Sequence, residues 1–207
     1  MKTNLIWQVV MTAMCAYICN AGTQAVTPDY ISDMQNTIVF AAQYGELGID
    51  ETSYMPGQKG SPLQIKDKLY KKGLGTHANS KIVIDLGGAY STFESEVGIQ
   101  WYAGGPGSVI FKVLADDKEI FNSGKMTGNT PAKSVSVSVA GVQYLTLLVV
   151  DTGEGISNDV GNWAEARITR AEGVDTRAKT KLEAIDIAPF GRVLTWDTSR
   201  MKGCQNG

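Results

Sequence analysis

In the run Trp163-Ala164-Glu165-Ala166-Arg167-Ile168 a large aromatic ring is followed at two-residue steps by an acid and a base. Side chains two apart on a β-strand point the same way, so Trp163, Glu165 and Arg167 are predicted to share one face, with Ala164, Ala166 and Ile168 on the opposite, core side. Such a trio is chemically suited to a sugar: the indole covers the apolar C–H face of a pyranose and the charged groups meet its hydroxyls. Asn162, next to the ring, adds an amide to the set. A second reading stays open, in which Trp163 is a packed aromatic and Glu165 and Arg167 pair over it.

His77, the only histidine in the chain, sits among glycines in Lys72-Gly73-Leu74-Gly75-Thr76-His77-Ala78. Its ring either exchanges a hydrogen bond with a ligand hydroxyl or holds a loop carbonyl. Trp101 and Tyr102, just before Ala103-Gly104-Gly105-Pro106-Gly107, are placed to form a binding edge or to close the core at a strand end. Asp116, Asp117, Asp151, Glu154 and Asp159 offer hard oxygen ligands in loops. Asp151, Glu154 and Asp159 are the set from which a structural calcium ion is expected, if calcium is bound at all; the competing reading is solvated turn acids. No motif requires a cofactor. Gly73, Gly75, Gly87 and Gly88 fit neither dinucleotide nor P-loop spacing and read as turn and bulge positions.

Catalysis finds little support. A single histidine excludes a multi-histidine metal site, and no Gly-x-Ser-x-Gly elbow accompanies it. Cys204 lies in the tail, which disfavours Cys–His chemistry. A glycosidase needs only two carboxylates at a defined separation, so a hydrolase fragment with its own pair stays open, as does a protein-binding adhesion sandwich.

The elements that must position these groups are strands. From Thr37 to Arg170 short apolar or alternating runs are separated by Gly, Asn, Asp and Pro, and no long helical period appears. The clearest strands are Lys81 to Leu86, Ser108 to Ala115, Lys133 to Ala140, Tyr144 to Asp151 and Trp163 to Thr169. Val135, Val137 and Val139 alternate with Ser134, Ser136 and Ser138, which predicts one buried and one wet face. Asp116-Asp117 suits a tight hairpin. These features predict an all-β chain, an antiparallel, jelly-roll-like β-sandwich, and disfavour a parallel α/β enzyme.

The 207 residues suit one core plus extensions. A formal charge of -2 with interspersed signs gives no positive stripe for nucleic acid. Lys2 and the apolar run Leu5 to Cys19 read as an export signal over residues 1–25, too interrupted for a membrane span. Cleavage there leaves Cys204 alone, without an intramolecular disulfide. Residues 26–171 form the expected sandwich. Residues 172–207, charged and then apolar from Ile185 to Leu194, are expected to be a connector toward a further domain.

Several of these segments together resemble one family. Tyr70-Lys71-Lys72-Gly73-Leu74-Gly75-Thr76-His77-Ala78 leads into Lys81-Ile82-Val83-Ile84-Asp85-Leu86-Gly87-Gly88. There follow Glu96-Val97-Gly98-Ile99, Gly107 to Val113, Phe121-Asn122-Ser123-Gly124, Leu145 to Asp151 and Asn162-Trp163-Ala164-Glu165-Ala166. In order, over roughly Thr37 to Ile168, they resemble the NPCBM group, the family 51 carbohydrate-binding modules. The resemblance implies a non-catalytic β-sandwich for galactose-type or related glycans, carried by a secreted or surface-bound glycoside hydrolase whose catalytic domain is its partner. The sequence departs from the family at Asp159-Val160-Gly161-Asn162, where an Asp-His-Ala-Asp run is frequent, so one imidazole and one carboxylate are replaced. The sugar site is expected where this loop approaches His77.

Overall fold

A computed structural model describes residues 27–101 and 107–173. The expected leader, Tyr102 and the run 103–106, Cys204 and nearly all of the expected connector lie outside the described residues. Thirteen strands follow one another: β1 (Asp29–Tyr30), β2 (Ile38–Ala42), β3 (Gly48–Ile49), β4 (Leu63–Ile65), β5 (Lys68–Tyr70), β6 (Gly73–His77) and β7 (Ser80–Asp85), then β8 (Tyr90–Ile99), β9 (Ser108–Ala115), β10 (Lys118–Thr127), β11 (Lys133–Ser138), β12 (Tyr144–Asp151) and β13 (Val160–Arg170). Every strand pairing is antiparallel.

Two sheets make the sandwich. A six-stranded sheet runs β11-β8-β13-β6-β3, with β1 also on β13, and a five-stranded sheet runs β10-β9-β12-β7-β2. Their inner faces meet in one apolar cluster that includes Phe93, Val97, Phe111, Leu147, Trp163 and Ile168. The β9–β10 turn has positive φ at both Asp116 and Asp117, as a two-residue hairpin demands. In β11, Val135 is buried while Ser134 and Ser136 are exposed, as the alternation predicts.

The alternation fails in β13, and the failure has a physical cause. Ala164 faces Glu96 and Arg167 faces Glu94, so β13 spends one more residue than β8 over that interval. The extra residue is a β-bulge, with Glu165 in the left-handed region at φ +52°. A bulge inverts the phase of everything beyond it. Trp163 therefore points inward together with Ala166 and Ile168, while Ala164, Glu165 and Arg167 lie on the outer face. The prediction that Trp163 shares a face with Glu165 and Arg167 is corrected here. Trp163 is 0 % exposed, edge-on to Phe111 with centroids 5.2 Å apart and tilted against Phe93 at 6.3 Å.

The motif glycines need a correction as well. Gly87 and Gly88 do have the positive φ of turn positions. Gly73 and Gly75 lie inside β6, where neighbouring backbone presses on them: a Cβ on Gly75 would stand 2.4 Å from Thr52 Cα, and one on Gly73 2.4 Å from the Trp163 carbonyl oxygen. They are close-approach glycines.

The chain enters and leaves the sandwich together. Asp29 and Tyr30 pair with Ile168 and Arg167, and Arg170 Nε meets Asp29 Oδ2 at 3.2 Å.

Because Trp163 fills the centre of the core, Trp163→Ala should cost about 3–5 kcal/mol of unfolding free energy in a denaturant titration. Trp163→Phe should cost less, since it retains a ring and removes an indole N–H that has no partner. A loss below about 1 kcal/mol for the alanine variant would contradict this packing.

Candidate functional site

One end of the sandwich gathers the last residue of β6, the first of β13, the first of β7 and β9 and the last of β12. The register pairs His77 with Val160, and the Ala78 amide donates to the Asp159 carbonyl at 2.9 Å. The loop before Trp163 thus meets the His77 motif. His77 Nδ1 lies 3.0 Å from the Ala78 carbonyl oxygen. With Nδ1 as donor, Nε2 is left as an acceptor for a ligand hydroxyl. The ring tilts at 59° against Tyr44, 5.1 Å away, and Tyr44 is 53 % exposed. An aromatic surface and an imidazole acceptor therefore stand side by side.

Asp159, whose neighbour Val160 pairs with His77, is buried. Its Oδ1 accepts the Ser108 amide at 2.7 Å, while Oδ2 has no hydrogen-bond partner in the protein. Burial pushes its carboxyl above the usual range; the Ser108 hydrogen bond and the nearby His77 oppose this, and the charges of Asp151 and Glu154 add to it. Ser80 Oγ and both amide atoms of Gln43 are also buried without protein partners. Gln43 follows Ala42, which pairs with Lys81, so the register continued by one residue sets it opposite Ser80. Buried polar atoms of this kind are satisfied by water or by a ligand.

The remaining predicted site residues are dispersed. Trp163 is in the core. Asn162 is fully buried, its amide donating to Gln100 Oε1 at 2.6 Å and to the Gln64 carbonyl at 3.4 Å, which pins the β4–β5 hairpin onto the six-stranded sheet. Glu165 and Arg167 lie on that sheet's outer face, bonded to Tyr30 at 2.8 Å and to Glu94 at 3.0 Å. Trp101, 53 % exposed, shares the His77 end but borders a separate depression with Lys66, Asp67, Gly128 and Asn129. It follows β8 and His77 ends β6, on opposite sides of β13, so strand spacing sets their backbones roughly 10 Å apart.

The expected calcium set does not converge. Asp151 accepts from Asn79 at 2.7 Å and from the Gly153 amide, Glu154 pairs with Lys125 at 2.9 Å, and Asp159 is bound as described. Among the described residues, no group of three or more His, Cys, Asp or Glu side chains is arranged to hold a metal ion. Each of these acids has a nearer donor within the protein. Conversely, the sequence reading missed Tyr44, Gln43 and Ser80. Tyr44 and His77 are 33 residues apart, and only strand pairing, β2 with β7 and β3 with β6, brings them together.

Comparison with known proteins agrees with this architecture. A family model for the NPCBM/NEW2 domain matches residues 27–169. A family 51 carbohydrate-binding module from a Clostridium perfringens family 95 glycoside hydrolase, solved with methyl-galactose, is 36 % identical with a TM-score of 0.63, and covers 69 % of this chain and 100 % of that one. A second C. perfringens module of family 51, from ZmpB and solved with GlcNAc, is 26 % identical with a TM-score of 0.64 over 70 % of this chain and 32 % of that one. Alpha-1,3-galactosidase B of Akkermansia muciniphila is 34 % identical over 125 residues, 58 % of this chain. The chain spans only 15 % of that relative, and 9 % of a Renibacterium salmoninarum relative to which it is 32 % identical.

The raised carboxyl of Asp159 fixes the sign of a pH effect. A folded state that holds this proton more tightly than the unfolded chain, where the value is about 3.9, loses stability as pH rises from there through the folded value. Asp159→Asn keeps an acceptor for Ser108 and removes the buried charge, so its Tm should exceed that of the parent at pH 7 and match it at pH 3. A lower Tm at pH 7 would show that something stabilises the carboxylate, such as a cation.

Proposed function

The chain belongs to the NPCBM/NEW2 domain family, and from that premise we propose that it is a non-catalytic carbohydrate-binding module for galactose-type glycans, recognised at the His77 end of the sandwich. The observation that carries the reading is the match, over the whole length of the other module, to a family 51 module solved with methyl-galactose. The chemistry agrees: Tyr44 offers a ring against the C–H face of a pyranose, and His77 Nε2 accepts from a hydroxyl. Catalysis at this end is disfavoured, because Asp159, whose carboxyl is held above its usual range, is sealed in the interior.

The departure from the family falls inside this site. Val160, where an imidazole is frequent, is the cross-strand partner of His77. Asn162, where a carboxylate is frequent, is absorbed in the Gln100 network. The polar complement therefore rests on His77 and its neighbours across β2, which favours weak recognition of one terminal sugar. We further infer that residues 1–25 direct export, and that the module accompanies a glycoside hydrolase catalytic domain and brings it to its glycan. In the described residues no helix is long and apolar enough to cross a membrane. An adhesion sandwich that binds only protein is the reading this proposal displaces.

Calorimetric titration with methyl-galactoside and a glycan array test it together. Micromolar to millimolar affinity is expected, as is a roughly two- to tenfold weakening by either His77→Ala or Tyr44→Ala, the worth of one modest hydrogen bond or contact. Unaltered affinity in both folded variants would move the site elsewhere. An array without any signal would remove the carbohydrate reading.

A further inference from the structure

The outer face of the six-stranded sheet carries a groove of about 670 Å³ that is distinct from the His77 end. Its floor is built by the β13 bulge and by β8: Glu165 and Arg167 beside Glu94 and Glu96. The β4–β5 hairpin raises one wall with Lys68, Leu69 and Tyr70, the exposed serines 134 and 136 of β11 stand opposite, and Tyr30 of β1 closes a side. The volume falls within the roughly 300–1,000 Å³ of small-ligand clefts.

We propose that this groove is a second carbohydrate subsite, and that its ligand is an uncharged oligosaccharide segment longer than one ring. The inference rests on the carbohydrate-binding reading above. Charge selects the ligand class. Four basic side chains (Lys68, Lys71, Lys72, Arg167) interleave with three carboxylates (Glu94, Glu96, Glu165). An anion would meet the acids and a cation the bases, whereas a hydroxyl both donates and accepts and fits between them.

The planar groups are held in place but not exhausted. Arg167 reaches Glu94 through Nε, so its terminal amino groups remain for Tyr30 and the groove. Glu165 takes the Tyr30 hydroxyl on Oε2, Glu96 takes Lys68 and Tyr70 on its two oxygens, and each carboxylate oxygen has a further lone pair. Leu69, 65 % exposed on the rim, supplies an apolar surface for sugar C–H groups. The bulge supports the same conclusion. Glycine would occupy φ +52° without strain, yet the position holds a glutamate, and the inserted residue turns its carboxylate into the groove.

The test uses the full chain, labelled with ¹⁵N, and two probes: methyl-galactoside and lacto-N-tetraose, a linear neutral tetrasaccharide containing both galactose and N-acetylglucosamine. Glu165→Gln alters one groove group, and Ser136→Trp obstructs the groove from an exposed strand position. The tetrasaccharide should shift amides of Glu165, Arg167 and Ser136 as well as those around His77, and should bind at least about fivefold more tightly than the monosaccharide. Both variants should remove that advantage and leave methyl-galactoside affinity unchanged. Tetrasaccharide shifts confined to the His77 end, or an advantage that survives both variants, would overturn the groove and spare the His77 site. Absence of any response to either sugar would remove both readings.

Discussion

One inserted residue in β13 decides which side chains this protein keeps inside and which it shows. The bulge between Ala164 and Arg167 lets Trp163 and Ile168 both face the core although they stand an odd number of positions, five, apart. Ala164 is released to the outer face, where it packs with Leu63, Ile65 and Tyr70 under the β4–β5 hairpin. At the same point the partner on one edge of β13 changes from β6 to β1. The Glu165 amide, displaced from the β8 ladder, donates to the Lys72 carbonyl at 2.9 Å, so the irregularity is locked to the residue that precedes β6. Core filling, hairpin docking and the chain entry all depend on this single step.

The same step marks the limit of what the sequence discloses. Valine–serine alternation in β11 and the Asp116-Asp117 turn are local signals, since strand phase and turn dihedrals are set by residues next to one another. The antiparallel sandwich follows from them. A bulge has no such signature when its left-handed position is filled by glutamate rather than glycine, so strict alternation carried across it puts Trp163 on the wrong face. β8, the long central strand, is hard to see for a related reason: its outward residues Glu94 and Glu96 are charged, and the run does not look apolar. His77 was legible as a site residue by its rarity and its glycine-rich setting, whereas Tyr44 became its neighbour only through strand pairing.

Buried polar chemistry serves two purposes that composition cannot separate. Asn162, Gln100 and Gln64 form a network in which every side-chain NH2 group is bonded and Asn162 Oδ1 alone is buried without a protein partner, and its role is to hold a hairpin on a sheet. Asp159, Ser80 and Gln43 retain atoms without protein partners close to the His77 end. At the outer groove a third arrangement appears. Burial acts to raise the Glu96 carboxyl, but its bonds to Lys68 and Tyr70 outweigh that and hold it below the usual range, while burial and Glu96 push the Tyr70 phenol up. Acid and phenol are thus fixed as acceptor and donor across the neutral pH range.

The pairing of β1 with the end of β13 bears on how the module is carried. Asp29 and Arg170 hold the incoming and outgoing chain side by side, and His77 lies beside Val160 at the opposite end of the same strand. Ten residue steps separate Val160 from Arg170, roughly 30 Å of extended backbone. Any flanking polypeptide is therefore attached at one pole while the loops around His77 face the other. A ligand held beside His77 therefore stays clear of the residues through which the chain enters and leaves the sandwich, and recognition and attachment compete for no common surface.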